Sequence, residues 1–528
     1  MPDLVRDLLR PEAYGLEHRA PVSLRMTHAS WVFLTGDDAW KVKRPVDLGF
    51  LDFRTLQARR HFCEEELRLN RRLAPDVYLG VEPVRQSARG HVIAGGEGRV
   101  VDWALHMRRL PDEASAASML ARDALTAVPL AGLAARLASF FRAARPTPTF
   151  GEPAALRANV DENFAQVEPF VGDLVDRQSC DDIRAFHLGE LETKRERFAA
   201  RVRDGRIRDG HGDLRLEHVY FLDGLDPLAI DCVEFNERFR CGDTAGEAAF
   251  LAMELEAARR PDLAAGFVAR FAEASDDFGL YAVLDFYLSY RAFVRGKVAA
   301  FLAADLTADG ELRTRKRDEA RRRFALARSF SGLPVDDPFV VVVGGVIGSG
   351  KSTLAAALGR ELAAPVVSSD RTRKALAGLA PTERGGAELY TPDEIDRNYR
   401  EVLRRGGEVL AARRGVILDA SFSAHRWRAA AADLARDAGA RFVWVEARCA
   451  DRDRLRARLA ARRPGASVSD ATDAELDELL RRYEPLTPAD PGPRLSIDTG
   501  SDPALTLERA LAALRALGLL PARERLAS

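Results

Sequence analysis

One short motif limits the folds that this chain can adopt: a glycine-rich loop between an apolar run and a helical stretch. The loop is Gly345-Val346-Ile347-Gly348-Ser349-Gly350-Lys351-Ser352; it follows FVVVV (339–343), and the helical stretch begins at Thr353. In this pattern backbone N–H groups surround phosphates, the lysine reaches the β- and γ-phosphates, and the serine ligates Mg²⁺. The motif predicts that residues 345–353 bind ATP and Mg²⁺. The alternative is a glycine-rich turn that packs a helix on a strand.

Apolar runs alternate with helical stretches after residue 338. This alternation predicts an α/β domain whose parallel sheet is covered by helices on both faces. The expected strands are FVVVV (339–343), PVVSS (365–369), GVILD (415–419), RFVWVEA (441–447) and RLSID (494–498). The segment SGLPVDDP (331–338) breaks the pattern and predicts a linker between domains at 1–330 and 339–528.

Polar residues follow two of these strands, at the edge of the sheet where α/β proteins bind ligands. Asp370 follows the second strand, and its carboxylate could accept a proton from an attacking hydroxyl. Arg373, three residues on, could bind a phosphate or carboxylate of the substrate. Asp419 ends the third strand in a Walker-B-like position for Mg²⁺ or its water shell. A helix cap is the alternative for each acid.

Three arginines spaced by four, Arg454, Arg458 and Arg462, would share one helix face. One or more, with Arg458 as the candidate substrate contact, could close over the transferred phosphoryl group; a solvated charged face is the alternative. Together with the glycine-rich loop and LDASF (418–422), these features resemble the P-loop small kinases, which include gluconate kinase, the polynucleotide 5′-kinase domain and zeta-toxin-like kinases. The resemblance covers residues 338–520 and implies phosphoryl transfer from ATP to a hydroxyl, with Asp370 as the base and Arg373 as a substrate contact.

A second set of polar residues lies between residues 211 and 231. His211-Gly212-Asp213-Leu214 is followed by Asp231 at the end of a short apolar stretch. Kinase chemistry needs such a pair: one Asp orients and deprotonates the hydroxyl, and another holds Mg²⁺ on the ATP phosphates. The alternative is a His-Gly turn with capping acids. The form and spacing resemble the aminoglycoside phosphotransferase and choline-kinase-like group.

That resemblance implies a lysine on the α- and β-phosphates and a glutamate that anchors it. Lys41 and Lys43 in WKVK both fit, because residues two apart on a strand point to the same side. Among three consecutive acids we prefer Glu66, which lies beside the apolar stripe of its helix.

The whole arrangement resembles bacterial fusions of an aminoglycoside phosphotransferase-like domain with an ATP-binding P-loop domain. It implies an α+β protein-kinase-like two-lobed domain followed by an α/β P-loop domain with a parallel sheet covered by helices on both faces. Two features depart from the kinase pattern: no G-x-G-x-x-G loop precedes WKVK, and His218 stands at the second metal position, usually Asn. Imidazole is a poorer ligand for Mg²⁺ than an amide oxygen.

Composition limits the class of partner. The 79 basic and 80 acidic residues give a formal net charge of −1, so no global field attracts nucleic acid or anionic lipid. No apolar run has the length of a membrane span, and the N-terminus lacks the pattern of a signal peptide. Five scattered cysteines indicate free thiols in a reducing cytosol. We expect a cytoplasmic protein that acts on a small-molecule hydroxyl acceptor.

Three functions fit these patterns. The first is an ATP-dependent kinase with two nucleotide sites. The second is a ligand-sensing or regulatory ATPase whose N-terminal kinase-like domain is inactive. The third is a nucleoside or polynucleotide 5′-kinase, which Asp370, Arg373 and the basic run at 313–323 suggest and the balanced charge disfavours.

Overall fold

The computed structural model describes most of the chain: residues 3–15, 21–47, 49, 51–87, 90–93, 97–224, 226–305, 310–331, 337–461, 468–470, 476–484 and 486–519. The chain divides into two compact units, one of residues 1–166 and 198–258 and the other of residues 167–197 and 259–528. The linker expected at 331–338 falls largely on residues 332–336, which lie outside the described residues. The domain limits 1–330 and 339–528 therefore stay a prediction.

The first unit begins with a six-stranded antiparallel sheet in the order β1-β2-β3-β6-β4-β5. Its strands are β1 (Ser23–Met26), β2 (Ser30–Thr35), β3 (Asp38–Lys43), β4 (Tyr78–Ser87), β5 (Gly90–Val92) and β6 (Arg99–Arg108). The turn-forming residues TGDD (35–38) between two apolar runs predict a hairpin. The structure confirms it, because β2 and β3 pair from Ser30↔Lys43 to Thr35↔Asp38. Phe33, Val42 and Ala104 form a buried face of the sheet.

The helices before residue 331 are α1 (Asp3–Asp7), α2 (Leu56–Asn70), α3 (Ala116–Ala121), α4 (Ala127–Ala143), α5 (Pro153–Val167), α6 (Arg177–Thr193), α7 (Arg195–Arg203), α8 (Glu237–Arg240), α9 (Thr244–Ala257), α10 (Pro261–Ser275), α11 (Tyr281–Ala304) and α12 (Gly310–Ser329). Short strands lie between α7 and α9: β7 (Ile207–Asp209), β8 (Val219–Tyr220), β9 (Leu228–Ala229) and β10 (Cys241–Asp243). The loops around β8 and β9 carry the His-Gly-Asp motif and Asp231.

Helix α2 carries one candidate residue into the interior. It begins at the N-cap Thr55, whose hydroxyl accepts a hydrogen bond from the Ala58 N–H at 3.1 Å. Cys63, Glu66 and Leu69 lie on one face at helical spacing and are each at most 1% exposed. The apolar stripe around Glu66 therefore fixes a carboxylate inside the first unit.

The second unit contains a five-stranded sheet in the order β12-β13-β11-β14-β15. Its strands, all paired in parallel, are β11 (Phe339–Gly344), β12 (Val366–Ser368), β13 (Val416–Asp419), β14 (Arg441–Arg448) and β15 (Arg494–Asp498). The helices that follow residue 350 are α13 (Lys351–Glu361), α14 (Ser369–Leu376), α15 (Pro392–Ala411), α16 (His425–Asp437), α17 (Arg452–Ala460), α18 (Leu476–Arg482) and α19 (Pro503–Ala516). All five strands expected from the sequence are present.

Helices cover this sheet on both faces. On one face, Val341 and Val343 share a buried cluster with Leu358 of α13 and Leu514 of α19. On the opposite face, a Cβ at Gly406 of α15 would lie 3.0 Å from the Leu418 side chain, so α15 packs closely on β13. Because side chains alternate along a strand, continuous apolar runs fill both faces. The predicted fold class is confirmed.

All five cysteines lie in the described residues, where each is buried and none forms a disulfide. None of the helices in the described residues has the length and apolar character that a membrane crossing would need.

Candidate active sites

The glycine-rich loop joins the C-terminal end of β11 to the N-terminus of α13. Its three glycines have positive φ: 142° at Gly345, 73° at Gly348 and 82° at Gly350. A Cβ at Gly345 would lie 2.5 Å from the carbonyl oxygen of Ala447, so any side chain there would displace backbone. Glycine therefore permits both the left-handed turns and the close approach that a phosphate-binding loop requires. Lys351 is the first residue of α13, whose first-turn N–H groups lack helical partners.

Two side chains hold this loop from the carboxyl end of the sheet. Thr499 donates through its hydroxyl to the carbonyl oxygen of Ser349 at 2.5 Å. Arg458 on α17 donates to the carbonyl oxygens of Thr499 at 2.6 Å and Gly348 at 3.4 Å. In this structure the Arg458 guanidinium thus contacts the loop backbone, and its contact with a substrate stays a prediction. Arg462 lies outside the described residues.

Ser352 and Asp419, the two candidate Mg²⁺ ligands of the P-loop site, lie next to each other; their role in metal binding stays a prediction. The Ser352 hydroxyl donates to Asp419 Oδ1 at 3.2 Å, and Asp419 is 4% exposed at the end of β13. Burial raises the pKa of Asp419 to about 6 against the opposing charge of Lys351. Both residues offer oxygen atoms, which Mg²⁺ prefers, so the pair fits the ion that the motif implies.

Asp370 and Arg373 lie on α14, one turn apart. Arg373 Nη1 donates to Asp370 Oδ1 at 2.7 Å, and the guanidinium lies 4.6 Å from the centroid of the Tyr390 ring. Burial opposes ionisation of Asp370, but Arg373 and Lys351 hold its pKa below the ordinary value. The N-cap of α14 is Ser368 and not Asp370, so the capping alternative does not describe this acid.

The sequence did not reveal how the segment after Asp419 is held. Phe422 has a left-handed φ of 45°, which is strained for an aromatic residue. The Tyr399 hydroxyl accepts a hydrogen bond from the Phe422 N–H at 2.9 Å and lies 3.1 Å from Ser421 Oγ. The Ser421 carbonyl in turn accepts from the Gly345 N–H at 3.3 Å. Tyr399 thus connects α15 to the phosphate-binding loop through a strained turn.

The first unit brings the other candidate residues together in one ion-pair cluster. Lys41 Nζ lies 2.7 Å from Glu66 Oε1 and 2.7 Å from Asp231 Oδ1. Burial opposes the charged forms, but the opposite charges dominate: they raise the pKa of Lys41 and lower the pKa values of Glu66 and Asp231. Lys41 on β3 therefore contacts one carboxylate from α2 and one from the loop of Asp231, although the three segments are far apart in the sequence.

Lys43 lies two residues after Lys41 on β3 but differs from it in partners and in burial. Its ammonium pairs with Glu66 Oε2 at 2.7 Å and with Glu234, and its side chain is 1% exposed. Lys41 is 15% exposed and is the lysine that contacts Asp231. The geometry separates a buried structural lysine, Lys43, from a lysine at the site, Lys41.

The His-Gly-Asp motif forms a loop that several buried groups hold in place. Glu247 accepts hydrogen bonds from the N–H groups of His211 and Gly212, each at 3.1 Å. His211 Nδ1 accepts from the Asp213 N–H at 3.3 Å, so Nε2 carries the proton and donates to the Ile230 carbonyl at 2.9 Å. Burial lowers the pKa of His211 to about 4, which keeps the ring neutral. His211 thereby ties the Asp213 loop to the stretch that precedes Asp231.

His218 lies between the two aspartates. Its Nδ1 donates to the Asp213 carbonyl oxygen at 2.9 Å and lies 3.4 Å from Asp213 Oδ2. Its Nε2 lies 3.5 Å from Asp231 Oδ2. The structure thus brings Asp213, His218 and Asp231 together; their roles in catalysis and metal binding stay predictions.

Asp231 has a strained backbone that its neighbours support. Its φ of 61° is left-handed, and its N–H donates to the Tyr78 hydroxyl at 3.1 Å. Asn70 accepts from the Cys232 N–H at 2.9 Å and donates to the Glu66 carbonyl at 2.8 Å. Such strain is often found at functional sites, where the surrounding structure maintains it.

Four residues of this site were missed in the sequence. They are Tyr78, Asn70, Glu234 and Glu247, which hold the loops or neutralise Lys43. The sequence could have indicated Asn70, because this residue lies one helical turn after Glu66 on the same helix face. No sequence pattern indicates Tyr78 or Glu247, since only the tertiary fold brings them to Asp231 and to the His-Gly-Asp motif.

One family model and two mycobacterial proteins are similar to this chain. Residues 340–486 match a family model described as an AAA domain. The uncharacterized protein Rv2004c of Mycobacterium tuberculosis is 35% identical over 480 residues, which cover 87% of this chain and 90% of that protein. The uncharacterized protein Mb2027c of Mycobacterium bovis matches to the same extent.

Solved structures of kinases are similar to portions of this chain. A gluconokinase from Sinorhizobium meliloti is 23% identical, with a TM-score of 0.25, over 35% of this chain and 94% of that chain. A choline/ethanolamine kinase family protein from Mesorhizobium loti is 14% identical, with a TM-score of 0.37, over 60% of this chain and 89% of that chain.

Proposed function

This chain belongs to the family of the uncharacterized mycobacterial protein Rv2004c, and we propose that it is an ATP-dependent phosphotransferase with two nucleotide sites that phosphorylates hydroxyls of small molecules. One observation carries the proposal: the glycine-rich loop, Ser352, Asp419 and Asp370 meet at the carboxyl edge of one parallel sheet. Nucleotide-binding α/β proteins place their ligands at this edge.

At the P-loop site, each residue has a distinct task. The loop N–H groups and Lys351 bind the phosphates, and Ser352 and Asp419 would hold Mg²⁺, which neutralises phosphate charge when bound. Asp370 orients the acceptor hydroxyl and takes its proton. The acceptor oxygen bonds to the γ-phosphorus, the bond to the β-phosphate oxygen breaks, and ADP leaves. Arg373 binds an anionic or polar group of the acceptor.

At the N-terminal site, Lys41 binds the α- and β-phosphates and Glu66 holds its ammonium in place. Asp231 is the candidate Mg²⁺ ligand, and Asp213 orients and deprotonates the acceptor. The 2.7 Å contacts of Lys41 with both Glu66 and Asp231 support these tasks.

A second candidate function rests on His218. An imidazole that lies 3.5 Å from Asp231 is a poor second ligand for Mg²⁺. In this alternative, the N-terminal site binds a ligand without turnover, and the P-loop site hydrolyses ATP as a switch. Steady ATP consumption by Asp213→Asn but none by Lys351→Ala, with no phosphorylated product, favours this alternative.

The test is product formation from γ-labelled ATP with pools of sugars, amino sugars, nucleosides and a 5′-hydroxyl oligonucleotide. We expect some products to be lost only in Asp213→Asn and others only in Lys351→Ala. The matched controls are Asp226→Asn, an acid whose side chain is 76% exposed, and Lys194→Ala, a lysine that is 36% exposed. Both controls should retain all products. If neither site variant changes any product, the proposal fails; labelling of the oligonucleotide alone would favour the 5′-kinase alternative.

A further inference from the structure

A buried hydrogen bond connects the helix that carries Asp370 to the neighbouring helix. Thr372 lies on α14 between Asp370 and Arg373 and is 0% exposed. Its hydroxyl accepts a hydrogen bond from Nη1 of Arg405 on α15 at 3.3 Å. Because Asp370 and Arg373 share a short helix with Thr372, the orientation of their side chains depends on what holds that helix.

Arg405 is itself fixed by a residue outside the α/β sheet. Its guanidinium forms a bidentate pair with Asp276, with Nη1 2.5 Å from Oδ1 and Nη2 2.9 Å from Oδ2. Its Nε donates to Glu401 Oε1 at 2.8 Å, and the side chain of Arg405 is 9% exposed. Bidentate Arg–carboxylate pairs fix direction as well as distance. The guanidinium therefore has one orientation, which points Nη1 at Thr372.

Asp276 directly follows α10 and caps it in a left-handed conformation with φ of 52°. The αL conformation is costly for a residue with a side chain, though Asp tolerates it better than most. Asp276 has this left-handed backbone while its carboxylate pairs with Arg405. The end of α10 is thus linked through Arg405 to α14.

The same helical segment contacts the α/β part at other places. Arg414 pairs with Asp285 of α11 at 2.6 Å, and the Val366 N–H donates to Glu273 of α10 at 2.6 Å. Among the described residues, the Arg405 pair is the one that continues by a hydrogen bond into α14. Arg414–Asp285 therefore serves as the control. It is a similar ion pair between the same parts of the second unit, but within the described residues it makes no hydrogen bond to α14.

We propose that Arg405 is a positioning residue for phosphoryl transfer at the P-loop site, and that Asp276 and Thr372 complete its link to α14. The helical segment that begins at α10 then helps to orient Asp370 and Arg373 toward the phosphate-binding loop. This inference rests on the proposed function of that site. Misplacement of a catalytic group by about 1 Å can reduce the rate about 100-fold.

The test compares Asp276→Asn and Thr372→Val with the control Asp285→Asn. Asp276→Asn weakens the bidentate pair, and the isosteric Thr372→Val removes only the hydroxyl contact. We expect both to lower kcat for the Lys351-dependent product by about 10-fold or more, with the Kd for MgATP unchanged. Asp285→Asn should retain the wild-type kcat. Equal losses in Asp276→Asn and Asp285→Asn, or wild-type kcat in Thr372→Val, would overturn the inference.

A second measurement does not need the acceptor. Hydrogen exchange of the amides of α14 should be faster in Asp276→Asn and in Thr372→Val than in Asp285→Asn, at equal overall stability by urea unfolding. Exchange in α14 that is the same in all three variants would overturn the inference. If the wild type forms no Lys351-dependent product, the proposed function fails, while the exchange result still decides whether the link holds α14.

Discussion

Two lysines at alternate positions of one strand have different environments. Sequence spacing places Lys41 and Lys43 on the same side of β3 and gives no reason to separate them. In the structure both contact Glu66, but Lys43 is 1% exposed and also pairs with Glu234, whereas Lys41 is 15% exposed and pairs with Asp231. The difference arises from the second carboxylate that each lysine meets.

This difference predicts that two matched substitutions will have different effects on stability and on nucleotide binding. Lys43→Met leaves Glu234 buried without its cation and should lower the free energy of unfolding by about 3–5 kcal/mol. Lys41→Met should lower stability less, because Glu66 keeps Lys43, and should abolish nucleotide binding at the N-terminal site. Urea unfolding and titration with a fluorescent ATP analogue, both in a Lys351→Ala background, measure the two effects. Retention of nucleotide affinity in Lys41→Met would contradict the assignment.

Element packing depends on a few close contacts that composition does not show. Helices α11 and α12 approach each other where Gly296 faces the ring of Phe324. A Cβ at Gly296 would lie 2.8 Å from two carbon atoms of that ring, whereas a Cβ at Gly266 of α10 would meet nothing within 4 Å. Both glycines are interior to helices, so sequence propensity treats them alike.

We therefore predict opposite effects of two glycine-to-alanine substitutions. Gly296→Ala forces the ring of Phe324 to move and should lower the free energy of unfolding by about 1–3 kcal/mol. Gly266→Ala should raise it by about 0.5–1 kcal/mol, because alanine loses less backbone entropy in a helix. Urea unfolding measures both. Equal changes in the two variants would show that α11 and α12 do not pack as closely as described.

At the scale of the whole molecule, stability in acid depends on a histidine buried in the second unit. His187 on α6 is 1% exposed, and its Nε2 lies 2.9 Å from Ser289 Oγ of α11. Ser289 donates its proton to the Ala327 carbonyl at 2.8 Å, so His187 donates to Ser289. Burial lowers the pKa of His187 to about 3. The folded protein keeps this ring neutral.

The pH dependence follows from the lowered pKa. The unfolded chain binds a proton at His187 below pH about 6.5, and the folded chain does not until pH about 3, so stability falls as the pH decreases through this range. Between pH 7.5 and 5.5, this residue should cost the wild type about 1 kcal/mol of stability. His187→Gln should remove that part of the pH dependence, and His61→Gln, at an exposed position, should keep it. Urea unfolding at both pH values tests this.

The sequence by itself determined the elements and the motifs. The strands of the parallel sheet, the hairpin of β2 and β3, the glycine-rich loop and the choice of Glu66 follow from periodicity and from backbone requirements of glycine, which act between residues close in the chain. Tertiary structure decided which lysine meets Asp231, that Arg458 contacts the loop backbone, and that Thr372, Arg405 and Asp276 form one link. These contacts join residues from about 30 to 190 positions apart. Only the folded chain brings them together, because hydrogen bonds form only between atoms that are almost in contact.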